Sequence, residues 1–268
     1  MNIRLVAADL DNTLAPTGQP LPPRNREALI ELHKRGIDFV LASGKNLYSL
    51  NRVETKWNLP FRQPYVMGMN GAELLDNRNN RTYVFEQLTC DVLKEIYEMM
   101  LPFGLNPFVY YQDGMLAEHD DEMLNASSLR NELKIYYTEV KGPVWSHPTA
   151  KILYRIPQEM VPEVRKFILD HPCEKWGLVQ TQKNMLEFVH PETSKGHTLK
   201  RICEMNDIPL EEVMAFGDSE NDEEMLKCCH GICLLDGFDS TKRVSEDITY
   251  LDCKDGGFGD YLFRHVLL

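Results

Sequence analysis

A short apolar strand that runs straight into an acid constrains this chain more than any other feature. Arg4-Leu5-Val6-Ala7-Ala8 reads as a buried strand, and Asp9 follows it at once. The pattern recurs. Ile37-Asp38-Phe39-Val40-Leu41-Ala42 is a second strand and leads into Ser43-Gly44, while Val213-Met214-Ala215-Phe216 leads into Gly217-Asp218. Between the first two, Pro23 to Arg35 carries Ala28, Leu29 and Leu32 on one side of an amphipathic helix that Gly36 ends. Strand, helix, strand is a βαβ unit, whose strands are parallel neighbours. Ligands of open parallel sheets sit at the carboxyl ends of strands, where this chain puts Asp9, Ser43 and Asp218.

The far end continues the alternation. Ser194 to Asn206 reads as a helix, Asp222 to Cys229 as another, and Gly231 to Leu235 as a strand. The middle differs in texture. Thr89 to Leu101 reads as a helix, Pro107 to Tyr111 as a strand ending in the turn Gln112-Asp113-Gly114, and Glu118 to Leu133 as a helix. Lys151 to Ile156 is strand-like and Val161 to Asp170 helical. Gly177 to Gln182 and Met185 to Val189 form a hairpin around Lys183-Asn184. The expected fold class is α/β: a Rossmann-like parallel-sheet core in two pieces, 1–82 and 189–268, with an α+β module inserted over 83–188. Neither repeats nor a low-complexity linker interrupt it.

Composition narrows the function. With 268 residues, 43% hydrophobic and 26% charged, the chain has ample material for a packed core. No apolar run approaches the ~18 residues of a membrane span. The apolar N-terminal run is too short for a signal peptide, so the expected compartment is the cytoplasm, with no membrane partner. Seven cysteines at irregular spacing, with Cys228-Cys229 adjacent and no CxxC, suggest reduced thiols rather than a zinc site or a disulfide framework. A net charge of −12 repels nucleic acid, which is not expected as a partner. It also repels small phosphorylated metabolites, so a site for them would need its own cations, a metal or local lysines.

Four segments carry candidate chemistry. In Asp9-Leu10-Asp11-Asn12-Thr13 two carboxylates two apart could share one hard divalent cation, which relieves their mutual repulsion; the plain alternative is a solvated acidic turn. Ser43-Gly44-Lys45 offers a hydroxyl and an amide as an anion cradle, or Ser43 simply caps a helix. It is not a P-loop, since Phe39 stands where that motif needs glycine and Asn46 where it needs Ser or Thr. Lys195 in Thr193-Ser194-Lys195-Gly196 is a surface charge or a site cation at a loop-to-helix junction. Gly217-Asp218-Ser219-Glu220-Asn221-Asp222 places acids at a helix start, where they suit the macrodipole, or supplies metal ligands.

Together, in this order and at these strand ends, the four segments resemble the haloacid-dehalogenase-like (HAD) superfamily. The likeness is greatest to its Cof-type hydrolases with a large α+β cap after the second motif, and it covers essentially the whole chain. The resemblance implies a phosphatase for small phosphorylated metabolites, sugar phosphates before others. It implies that Asp9 is the nucleophile and that Asp11 protonates the leaving oxygen, later activates water, and offers a metal its backbone carbonyl. Ser43 and the Gly44 amide would hold phosphoryl oxygens. Lys195 would balance charge, Asp218 would bind Mg²⁺, and Asn221 and Asp222 would lie near phosphate and metal. The metal set it implies is therefore Asp9, Asp11, Asp218 and Asp222, with Asp222 set back from the ion. The cap would close over the site and read the leaving group. Phosphate monoesters hydrolyse so slowly unaided that enzymes accelerate them up to ~10²¹-fold. A carboxylate nucleophile splits that reaction in two, and a cation with a lysine cancels the repulsion between nucleophile and phosphate.

The chain departs from the family pattern in three places. Asn12 replaces a usual glycine. Ser43-Gly44-Lys45 replaces Thr-Gly-Arg, and a lysine is not a bidentate guanidinium, which leaves the role of Lys45 open. Asp236-Gly237-Phe238 replaces Gly-Asn-Ala. Asn70-Gly71 matches a recurrent Asn-Gly, or is a simple turn. A phosphomutase using the same nucleophile and a non-catalytic sensor of phosphometabolites are the alternatives. Tyr110, Tyr111, Trp145 and Trp176 are sugar platforms or core of the insertion. Oligomeric state has no signal in the sequence.

Overall fold

The first strand, β1 (Leu5–Asp9), is buried at every position, so it needs a neighbour on both edges and cover on both faces. α1 (Pro23–Lys34) returns the chain to β2 (Asp38–Ala42), parallel to β1, and α2 (Leu47–Lys56) leads to β3 (Tyr65–Gly68), parallel to β2. β4 (Glu73–Asp76) and β5 (Arg81–Val84) then run antiparallel at that edge. Next come α3 (Cys90–Met100), β6 (Pro107–Tyr111), β7 (Gly114–Ala117), α4 (Glu122–Asn131), β8 (Lys134–Tyr137), β9 (Lys151–Arg155), α5 (Val161–Asp170), β10 (Gly177–Gln182) and β11 (Met185–Val189). The chain ends with α6 (Lys195–Met205), β12 (Val213–Gly217), α7 (Glu223–Lys227), β13 (His230–Cys233), α8 (Asp239–Val244), β14 (Asp247–Ile248) and α9 (Gly257–His265). This computed structural model describes residues 2–111, 113–137, 144 and 146–267. It divides into two units, Met1–Phe85 with Ser194–Leu268, and Glu86–Thr193. Among the described residues no helix is long and apolar enough to cross a membrane.

In the first unit the sheet order is β14-β13-β12-β1-β2-β3-β4-β5, so the far end of the chain supplies the second neighbour of β1. β12 lies parallel to it, with Leu5 opposite Val213 and Ala8 opposite Phe216. Side chains alternate across a strand. Val6 and Ala8 join a cluster with Ala28, Leu29 and Leu32 of α1 and Phe258 and Leu262 of α9. Leu5 and Ala7 join the opposite one, with Leu199 and Ile202 of α6 and Met225 and Leu226 of α7. The sheet is therefore covered by helices on both faces, the doubly wound α/β arrangement that the strand-and-helix alternation predicts. Asp9 shares the parity of Leu5 and Ala7, so its side chain leaves the strand on the face of α6. That parity brings it to Lys195.

The second unit has a sheet of order β10-β11-β9-β6-β7-β8. One face packs Leu93 and Ile96 of α3 and Val164 and Ile168 of α5 against Val109, Ile152, Tyr154 and Phe188. The other holds Phe108, Met115, Leu153 and Met185 with Leu124 and Leu133. On that second face Lys151 and Glu187 pair at 2.7 Å with almost no exposure, and Thr181 donates to the same carboxylate at 2.8 Å. The helix expected over Glu118 to Leu133 is shorter. It starts after Asp121, whose side chain accepts the Leu124 amide, and ends at Asn131, before Glu132 in the left-handed region. Two four-residue strands flank it. Gly114-Met115-Leu116-Ala117 has no strand propensity of its own and is extended because it pairs with β6; Lys134–Tyr137 pairs in turn with β7. Tyr111 and Trp176 pack on the first cluster and Tyr110 on the second, as core residues. Trp145 lies outside the described residues.

Candidate active site

The parallel register sets the site. Asp9 ends β1 opposite Ala42, so Ser43 follows beside it, and Asp218 follows β12 on the other side. Lys195 opens α6, which Ser194 caps by accepting the His197 amide at 3.0 Å. A cation in the first turn opposes the helix dipole, and this one is fully buried. Carboxylates compensate it: Lys195 Nζ donates to Asp9 Oδ1 at 2.5 Å and to Asp222 Oδ1 at 2.7 Å. The other oxygen of Asp222 accepts the amides of Asp218 at 3.0 Å and Ser219 at 3.2 Å. Gly217 allows this closeness, because a Cβ there would stand 2.4 Å from Asp222 Cβ.

Asp218 is positioned twice. Thr13 Oγ1 donates to its Oδ1 at 2.9 Å, and the Phe238 amide donates to its backbone carbonyl at 2.7 Å. Sequence reasoning gave neither residue a part. Thr13 stands in the same short segment as Asp9, four residues on, and that was the available signal. Phe238 carried none, since its contribution is a backbone amide. The Asp236-Gly237-Phe238 departure thus lies against the acid loop.

Ser43 is buried; its amide donates to Met67 O at 2.9 Å and its hydroxyl oxygen accepts the Lys45 amide at 3.1 Å. Gly44 lies between them and is half-buried. Lys45 Nζ pairs with the Asp11 carboxylate. That settles where the lysine goes: it holds the Asp11 carboxylate, which still lies near enough to Asp9 to act on its charge. The three carboxylates that come together are Asp9, Asp218 and Asp222, with one oxygen of each within 4.8 Å of the others. Asp11 is not part of that cluster by its side chain. Leu10, between the two acids, is buried, and the chain turns just after Asp11, where Asn12 takes φ 64°.

Asn221 joins through its amide, which donates to Asn70 Oδ1 at 2.9 Å, while Ser219 Oγ donates to Asn221 Oδ1 at 2.8 Å. Asn70 is the residue that the simple-turn reading of Asn70-Gly71 undervalued. Met69 and Asn70 both hold positive φ, 52° and 58°, before Gly71 at 103°. Non-glycine residues seldom adopt that region, and clusters of them mark functional loops.

The charges are unbalanced. Among the described residues, three clustered carboxylates face one ammonium, so full ionisation would leave an excess of two negative charges. Burial, then Asp222 and Asp11, push Asp9 up to about 7 despite Lys195. Burial, then Asp222 and Asp9, hold Asp218 well above the usual carboxylate range. Burial alone would depress Lys195, but Asp222 and Asp9 together raise it, so it stays charged. Buried hard oxygens with a divalent charge deficit fit a divalent metal ion.

Residues 6–262 match the family model of the haloacid dehalogenase-like hydrolases. The chain belongs to that family. Three proteins illustrate what the chain is similar to. The HMP-PP phosphatase of Cronobacter sakazakii is 24% identical, over 83% of this chain and 80% of its own. The chloroplastic endoribonuclease YBEY of Arabidopsis thaliana is 27% identical over 97% of this chain, which spans only 46% of that protein's length. A haloacid dehalogenase-like hydrolase from Bacteroides thetaiotaomicron has the same fold, with a TM-score of 0.83 at 24% identity over 98% of this chain and 99% of that one.

Proposed function

We propose that this hydrolase is a magnesium-dependent phosphatase that passes the phosphoryl group of a small metabolite through Asp9 to water. The observation that carries the reading is Lys195, buried at the start of α6 and shared by Asp9 and Asp222 within a three-carboxylate cluster. Asp9 Oδ attacks phosphorus while the ester oxygen leaves with a proton from Asp11. Asp11 then takes a proton from water, which attacks the aspartyl-phosphate, releases phosphate and restores Asp9. Ser43, the Gly44 amide and Asn221 hold the phosphoryl oxygens, and Lys195 offsets charge between nucleophile and phosphate. Mg²⁺ held by Asp9, Asp218 and the Asp11 carbonyl would supply the remaining positive charge. Asp222 braces Lys195 and the Asp218 amide from behind.

The unit Glu86–Thr193, close to the 83–188 read from sequence, is proposed as the cap that selects the leaving group. Sugar phosphates are the class to test first, and the Cronobacter relative's name makes HMP-PP a second candidate. The endoribonuclease name does not transfer, because the match takes in under half of that protein. Phosphate release from a panel of phosphorylated sugars, nucleotides and cofactors, with Mg²⁺ and with EDTA, tests the proposal. Release that needs Mg²⁺ supports it. Conversion to a phosphorylated isomer without free phosphate would replace it with a mutase.

A further inference from the structure

The turn Met69-Asn70-Gly71 touches three other segments that bear site residues: Ser43 to Lys45, the start of α6, and Asn221. The Met69 amide donates to Lys45 O at 2.8 Å and the Asn70 amide to Ser43 O at 3.0 Å, so the turn clasps the backbone on both sides of Gly44. Gly71 lies against the start of α6: Thr198 Oγ1 donates to its carbonyl at 2.6 Å, and a Cβ on it would stand 2.4 Å from Ser194 O. Asn70 Oδ1 accepts the amide of Asn221. Two consecutive non-glycine residues in the left-handed region, both buried, hold this hub. Such strain persists where the surroundings fix it for a purpose.

The side-chain bond has a chemical consequence. Asn221 Oδ1 already accepts from Ser219, and an acceptor at Asn70 obliges the amide to turn its NH₂ that way. One N–H is then spent on Asn70 and the second is left in a fixed direction. Without Asn70 Oδ1 only the Ser219 hydroxyl would hold the amide, and a hydroxyl can accept as well as donate, so the amide could flip and present its oxygen, which repels a phosphate. We propose that Asn70 is a positioning residue of the reaction. It fixes the Asn221 amide as a donor to the phosphoryl group and ties that loop to Ser43 and Gly44 across the site. The inference rests on the phosphatase reading.

Three variants test it: Asn70→Gly, Asn70→Ala and Asn70→Gly combined with Asn221→Ala, with Asn221→Ala alone as reference. Glycine accepts φ 58° without strain, whereas alanine does not. Asn70→Gly should therefore melt near the wild type and Asn70→Ala lower. Both should lose kcat/KM alike, by about tenfold or more, since both remove the same oxygen. The double variant should be no worse than Asn221→Ala alone within about twofold, because the oxygen acts through that amide. Activity that follows melting temperature, with Asn70→Gly within twofold of wild type, would overturn the proposal and reduce Asn70 to a turn residue. So would losses that multiply in the double variant. If the wild type releases no phosphate from any substrate, the phosphatase reading itself falls, an outcome distinct from the other two.

Discussion

Lys195 shows how one residue can break a local rule for the sake of a site. A buried ammonium in the first turn of a helix is unfavourable by desolvation and by dipole. It is held because Asp9 and Asp222 close on it. Replacing it by Met leaves those acids buried without their cation. Lys195→Met should lower the stability of the metal-free protein by about 3–5 kcal/mol, measured by urea unfolding at pH 8. An unchanged midpoint would mean the three carboxylates are neutral there. Asp9 adds a pH dependence. Its folded pKa, raised to about 7 from 3.8, means the folded state binds more protons than the unfolded chain between those values. Stability therefore falls as pH rises from about 4 to 7, and the full penalty is present above that. Lys195 is charged throughout and contributes nothing in this window. Metal-free protein should melt progressively lower from pH 5 to pH 8, and Mg²⁺ should recover more at pH 8 than at pH 5. A metal-free melting temperature that rises over that range would contradict the assignment.

At the level of elements, what could be read from sequence depended on who decides the conformation. β10, β11 and α5 match the residues expected, because alternation and apolar spacing set them locally. β7 and β8 do not, because β7 becomes a strand only when β6 offers an edge, and β8 pairs in turn with β7. The same second unit holds a pairing that no pattern announces. Lys151 and Glu187 sit on neighbouring strands β9 and β11, where Val189 opposes Lys151 in register and Leu153 opposes Glu187. Lys151→Met should destabilise the protein by about 3–5 kcal/mol by stranding Glu187, whereas Lys151→Met with Glu187→Leu should recover most of that. Thermal or urea unfolding decides it. Equal loss in single and double variants would show that the pair matters for packing rather than charge.

For the whole molecule, the site depends on both ends of the chain. Asp9 and Lys195 stand 186 residues apart and meet because β12 docks beside β1 and α6 covers the face that Asp9 shares. The strand-end acids, the serine and the lysine were legible in sequence, since each follows an apolar strand or opens a helix. Three parts were not. The Thr13 and Phe238 bonds to Asp218 are choices of tertiary geometry, the Lys45–Asp11 pair depends on how the chain turns after β1, and Asn70 looks like any Asn-Gly turn until Asn221 is beside it. The central claim is that Asp9 accepts the phosphoryl group. The most direct measurement is Mg²⁺-dependent phosphate release from an aryl phosphate by the wild type and by Asp9→Asn, with melting curves for both. The account predicts release by the wild type and none above background by a folded Asp9→Asn. Undiminished turnover in that variant would contradict it.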